Sequence, residues 1–312
     1  MGMIVIFCIF FLWFLLPAIS HAESQGIHVT YVGVITEDEE DGKIFFPSAV
    51  FVDQVMKEIY VVDSKARIII YTSDFFPLFT IDRRRGIESP SSVAVDSDGN
   101  VYITQSKSKE NPRHRISVLN ACLKWQRDIY LEGFKGAETI APYRIAIDKK
   151  GNIYVTGSSY TGVIILDNQG KLQEIISPEE DGRDVSLTYV TLDSKGRMYL
   201  LSEIESRIYV YDENRKFLFK FGEKGGSTAK LSRPVAMAID NMRERIYVVD
   251  YMRHSVSAYS TKDGDYLFEF GGLGWGEGWF QHPRDIAVDD STGRIFVADT
   301  FNDRIEVFKP KD

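Results

Sequence analysis

The fold class this sequence predicts is all-β, a closed ring of six four-stranded antiparallel sheets. Three observations predict it: a segment ending in aspartate that recurs six times, the β-rich runs that come after each copy, and a leftover strand at the start of the ring. The recurring segments are "PSAVFVD" (47–53), "PSSVAVD" (90–96), "PYRIAID" (142–148), "SLTYVTLD" (186–193), "PVAMAID" (234–240) and "PRDIAVD" (283–289). Their aspartates, Asp53, Asp96, Asp148, Asp193, Asp240 and Asp289, are spaced 43, 52, 45, 47 and 49 residues apart. Blades of a propeller therefore start near 47, 90, 142, 187, 234 and 283.

Each segment supplies an inner strand. A polar turn comes next, then a second strand: "EIYVVD", "NVYITQ", "NIYVTG", "RMYLLS", "RIYVVD" and "RIFVAD". The third strands are "RIIIY", "RISVL", "GVIIL", "RIYVY", "SVSAY" and "RIEVF". Val, Ile, Tyr and Phe dominate these runs, and Gly, Asp, Asn and Lys the turns, which is strand and hairpin chemistry. A fourth strand, such as "KFLFKFG" or "DYLFEFG", is present in five of the six repeats. The last repeat stops after its third strand, and "IHVTYVGVI" (27–35) precedes the first without a blade of its own. Pairing the two completes blade six and removes the free radial edge.

Residues 1–22 stand apart. "IVIFCIFFLWFLL" (4–16) is an unbroken apolar run that ends at Pro17, with Ser20 and Ala22 as small residues before a cleavage point. This reads as a secretory signal peptide, and the run is short for a bilayer span of about 20 residues. The start "MGM" carries no Lys or Arg, so an uncleaved membrane anchor is the alternative. The mature protein, residues 23–312, is then secreted or periplasmic, with no stable membrane span. It keeps one cysteine, Cys122, expected to be a buried or half-buried small residue without a base to activate it. The net charge of −8 argues against nucleic acid as a general partner.

The glycine-rich stretch "GGLGWGEG" (271–278) is not a phosphate loop. Such loops lead into a helix N-terminus, whereas these glycines lead into Pro283 and a strand. They read as the connection from blade five to blade six. They lie within "FGGLGWGEGWFQHPRDIAVDDSTGRIFVADTFNDRIEVF" (270–308), which matches the pattern FGGxGxGxGxFxxPxxIAVDxxxGxIYVADxxNxRIxVF nearly throughout. In this the chain resembles the NHL-repeat family, with weaker copies from about Pro47 onward. The resemblance implies a six-bladed propeller acting as an interaction module.

Function is expected on the face that carries the long loops, the top. The residue four before each repeat aspartate should line the channel mouth there. With the residues preceding them, these positions offer Tyr143, Arg144, Tyr189, Arg284 and Asp285, a polar and aromatic set suited to an anionic or sugar-like group. The plainer expectation is that Arg144, Arg284 and Asp285 pair with one another and plug the channel. Blade two adds a basic sector, Arg83, Arg84, Arg85, Lys107, Lys109 and Arg113, which would steer an anionic partner. Trp275 adds an aromatic contact. The partner expected is a protein or an anionic polymer at the cell envelope. Arg67 and Arg304 are placed to bridge to Asp63 and Asp299 within one hairpin.

Related six-bladed enzymes, amidating lyases and lactonases, hold zinc with histidines or calcium with carboxylates. Of His28, His114, His254 and His282, only His282 falls near the channel mouth, and Asp285 is nearly alone among inner-strand carboxylates. No catalytic residue, metal or cofactor is assigned. A lyase or lactone hydrolase working at the channel mouth is the alternative to a binding scaffold.

Overall fold

A computed structural model describes residues 29–40, 42–158 and 160–311. The expected signal segment, residues 1–22, lies outside them, as does His28. Six four-stranded antiparallel sheets are arranged as blades, five of them running from inner to outer strand in chain order and the sixth taking its outer strand from the start of the ring. The inner strands are Ala49–Val52, Pro90–Val95, Pro142–Ile147, Tyr189–Leu192, Pro234–Asp240 and Asp285–Asp289. A small extra hairpin, Glu179–Glu180 with Arg183–Asp184, stands on the connection from blade three to blade four. The helices among the described residues are three short 3₁₀ turns, and none is long and apolar enough to cross a membrane.

The second and third strands are buried on both faces, because each blade packs between two others. One core cluster joins Val50, Val61 and Ile69 of blade one to Ala287, Phe296 and Val307 of blade six. The closing strand, Val29–Ile35, pairs antiparallel with Arg304–Pro310, from Val29 opposite Pro310 to Ile35 opposite Ile305. It supplies the outer strand that blade six lacks in its own repeat.

The repeat aspartates cap the bottom turns. Asp96 Oδ1 accepts from the Asp98 and Asn100 amides, Asp148 from Lys150 and Asn152, and Asp193 from Lys195 and Arg197. Arg67 and Arg304 bridge their hairpins as the sequence suggests, at 3.1 Å to Asp63 and 2.8 Å to Asp299. Cys122 corrects an expectation: it is exposed. It lies in the tight turn between the third and outer strands of blade two, where its amide is bonded to the Asn120 side chain and its thiol is left outside.

The glycine-rich connection turns as expected, with φ of +92° at Gly271 and +80° at Gly278. A Cβ at Gly271 would strike the ring of the fully buried Phe280, so only glycine fits. Trp275 and Trp279 remain 74% and 52% exposed, so Phe280 alone is the buried anchor. Arg304 fastens the loop through the carbonyls of Trp275, Gly276 and Trp279 at 2.7–3.0 Å.

Beneath the loop lies Glu306, buried, with Oε1 accepting from the Gly278 amide at 3.2 Å and Oε2 unpartnered. Burial pushes its pKa up to about 7, although Arg304 beside it works the other way. The fold therefore favours the protonated acid. That contribution is complete below about 4.5, the usual glutamate value, and is lost as pH rises through 7. Glu306→Gln should accordingly melt above the wild type at pH 8 and close to it at pH 5, in thermal scans at the two pH values. A lower melting temperature at pH 8 would mean that the Arg304 ion pair outweighs burial.

Candidate functional site

The inner strands enclose a channel of about 310 Å³, walled by side chains such as Val50, Val93, Ile145 and Val288. Gln54, Asn241 and Asp290, from the bottom turns, stand at one end of it, and Arg144, Tyr189 and Asp285 at the other. The Asp285 carboxylate gathers three donors from its neighbours. Oδ2 accepts from Arg144 Nη1 at 2.8 Å and from the Val50 amide at 3.0 Å. Oδ1 accepts from the Tyr189 hydroxyl at 2.8 Å. Arg144 also donates to the Ser48 carbonyl at 3.3 Å and lies over the rings of Tyr143 and Tyr189.

Arg144 and Asp285 are each 2% exposed. Burial disfavours the guanidinium, yet the adjacent Asp285 carboxylate and the two tyrosines leave its pKa raised. Burial pushes Asp285 up against the pull of Arg144, and Tyr189 is raised by burial and by Asp285. We read the pair as ionised, since each partner removes the other's cost of burial. These three of the sequence-derived residues are thus brought together as a plug across the top of the channel. Arg284 is not part of it.

Arg284 instead points outward from the plug, exposed. Its guanidinium lies over the Tyr251 ring at 5.5 Å, and no carboxylate among the described residues pairs with it. It lines two adjoining clefts. One, of about 110 Å³, is bounded by Tyr143, Glu203, Arg233 and Tyr251. The other, of about 440 Å³, is bounded by Phe46, Ser48, Ser89, Pro90 and Phe301. Arg233 sits on Tyr251 at 5.0 Å and is neutralised by Glu203 at 2.5 Å.

Tyr251 is itself held. Its ring stacks on His282 at 4.5 Å, and His282 meets Phe301 edge-on at 5.1 Å. Phe301 meets Phe46 in turn at 5.4 Å. The His282 amide donates to His254 Nδ1 at 2.9 Å, so that nitrogen carries no proton. His254 has a lowered pKa, first from burial and then from the neighbouring His282. The sequence set these two histidines apart, one on an outer hairpin and one at the mouth. In the fold their rings lie 4.4 Å apart, because the glycine-rich loop brings His282 onto the hairpin of blade five.

The basic sector of blade two is largely paired. Arg83 meets Glu110, Arg84 meets Asp82 at 2.9 Å, and Arg113 meets Glu132 at 2.7 Å while covering the Tyr130 ring. Arg85 donates to the Leu123 carbonyl and covers Phe79. Lys107 and Lys109 have no side-chain partner among the described residues. Trp275 projects from the glycine-rich loop and does not line either cleft.

Arg233, Tyr251, Glu203, Phe46 and Phe301 were not singled out from the sequence. A periodic signal was present. Glu203 and Tyr251 occupy the position just after a second strand, with Ser64, Ser106 and Ser158 as their equivalents, and Arg233 directly precedes a repeat proline. The amide at that position bonds back to the residue preceding an inner strand, as in Tyr251 to the Arg233 carbonyl and Ser106 to that of Ser89. Among the described residues no three of His, Cys, Asp or Glu converge as metal ligands.

Residues 280–308, which form most of blade six, match the NHL repeat model, and residues 130–162 match a beta-propeller repeat model. The chain thus carries an NHL repeat within a six-bladed β-propeller. Over 139 residues the chain is 27% identical to "Protein brain tumor" of Drosophila melanogaster, a match that spans 43% of this chain but only 12% of that protein's length. Similar solved structures come from Bacteroides. One is an auxiliary nutrient binding protein of Bacteroides ovatus, with a TM-score of 0.68 and 15% identity, covering 92% of this chain and 78% of that one. Another bears the same description, from Bacteroides thetaiotaomicron, with a TM-score of 0.67 and 13% identity over 91% and 76% of the two chains. At such identities the likeness shows the shared propeller fold.

Proposed function

We propose that this NHL propeller is an exported binding scaffold that takes an anionic ligand or a protein partner on its top face, centred on Arg284. The observation that carries this reading is the contrast between two neighbouring arginines. Arg144 is consumed by Asp285 inside the plug, while Arg284 rises above it with no acid paired to it among the described residues. A cation fixed on an aromatic face at the head of two clefts is a ready anion receptor. The structural relatives described as nutrient binding proteins are compatible with this role, as is the signal-like segment 1–22 with export. The paired arginines of blade two would serve as an outer steering surface, with Lys107 and Lys109 as its free charges.

Catalysis at the channel mouth has less to work with. Asp285 and Tyr189, the nearest acid and phenol, are both bonded within the plug. The scaffold reading is tested by measuring binding of polyglutamate, polyphosphate and dextran sulfate to the full-length protein at two salt concentrations. At least one should bind in a salt-dependent way and lose tenfold or more with Arg284→Ala, but only about twofold with Arg83, Arg84 and Arg85 all replaced by alanine. Binding that ignores Arg284 and follows the triple variant would move the site to blade two. Binding that ignores both would overturn the top-face reading.

A further inference from the structure

We infer that the cleft headed by Arg284 is built for a small monocarboxylate carrying a flat apolar group. The inference rests on the top-face reading and names its ligand. Charge decides the head group. Glu203 pairs with Arg233, and Asp63, which lines the larger cleft, is held by Arg67, a cation it shares with Asp38. Of the charged side chains lining the two clefts, Arg284 is the one left without a partner of opposite charge among the described residues. A single guanidinium matches one carboxylate, whose two oxygens meet its planar fork. A phosphate dianion would keep one charge uncompensated and would sit close to two acidic side chains.

The wall decides the rest. From Arg284 outward, Tyr251, His282, Phe301, Phe46 and Phe45 form an unbroken series of ring contacts, with centroid separations between 4.5 and 5.4 Å. Its outer members are left open, Phe301 being 43% and Phe45 45% exposed. Ser48, Ser89 and Pro90 face it across the larger cleft. Rings in mutual contact hold their orientation without a ligand, so little order is lost on binding. An apolar or aromatic body laid on Phe301 and Phe46 places its carboxylate towards Arg284. Tyr251, clamped between His282 and the guanidinium, fixes the distance between the two.

The experiment is titration of the full-length protein with N-acetyl-L-phenylalanine at pH 7.5, by calorimetry, beside its amide and phenyl phosphate. The acid should bind at least tenfold more tightly than either. Arg284→Ala should abolish that preference, and Phe301→Ala should weaken the acid about fivefold while leaving the preference for acid over amide. Both side chains are exposed, so both variants should melt with the wild type, and a thermal scan checks this. Equal binding of acid and amide would overturn the carboxylate assignment. Tighter binding of phenyl phosphate would replace it by a phosphate site, with the top-face reading intact. Failure of all three probes, with polymer binding still dependent on Arg284, would overturn the small-ligand inference alone.

Discussion

Asp285→Ala should destabilise the propeller by about 3–5 kcal/mol, the usual consequence of leaving one half of a buried ion pair behind. The substitution strands three donors at once: the Arg144 guanidinium, the Val50 amide and the Tyr189 hydroxyl. These come from three different inner strands, so the loss falls on the joint between blades one, three, four and six. Urea unfolding at pH 7 measures it. The double variant Arg144→Met with Asp285→Leu removes both charges and should lose clearly less than Asp285→Ala alone. If the double variant is the worse of the two, the pair holds the ring together by more than mutual neutralisation. Asp285→Asn, which keeps an acceptor oxygen for these donors, should fall between.

Removing residues 1–35 should lower the melting temperature by about 5–10 °C relative to a chain lacking only 1–22. Ile35 is buried in the core shared by blades six and one, and Val29 and Tyr31 pack on the cluster around Phe280 and Phe308. Losing one full and two partial apolar burials costs about 3–6 kcal/mol. The row of amides and carbonyls on Arg304–Pro310 would also lose its partners. Calorimetry of the two chains checks the result. Equal melting temperatures would show that the ring is stable without its closing strand.

Most of the fold was legible because it repeats. One segment of uncertain type is ambiguous, but six copies with aspartates at near-constant spacing leave one architecture. The shared position four residues before a repeat aspartate also set Arg144, Tyr189 and Asp285 at one level of the channel, where hydrogen bonds join them. What the sequence hid was pairing between distant hairpins and loops. Glu132, which pairs with Arg113, lies beyond the outer strand of blade two, and Glu203, which neutralises Arg233, belongs to another hairpin. Counting the arginines of one loop therefore overstated its free charge. The aromatic wall was hidden for the same reason: Phe46, Tyr251, His282 and Phe301 come from four connections and meet only when blades five, six and one stand side by side.

The closing strand also sets an order of events in folding. Blades one to five are each made from one continuous stretch of chain, with hairpin contacts that form locally. Blade six needs Val29–Ile35 to find Arg304–Pro310 across nearly the whole sequence. Contacts of that separation form slowly, because the entropy of closing the loop is lost before they return anything. During synthesis the first strand must therefore wait, unpaired, until the last has emerged. Folding should end in a slow concentration-sensitive phase, in which an open ring either meets its own first strand or borrows that of another molecule.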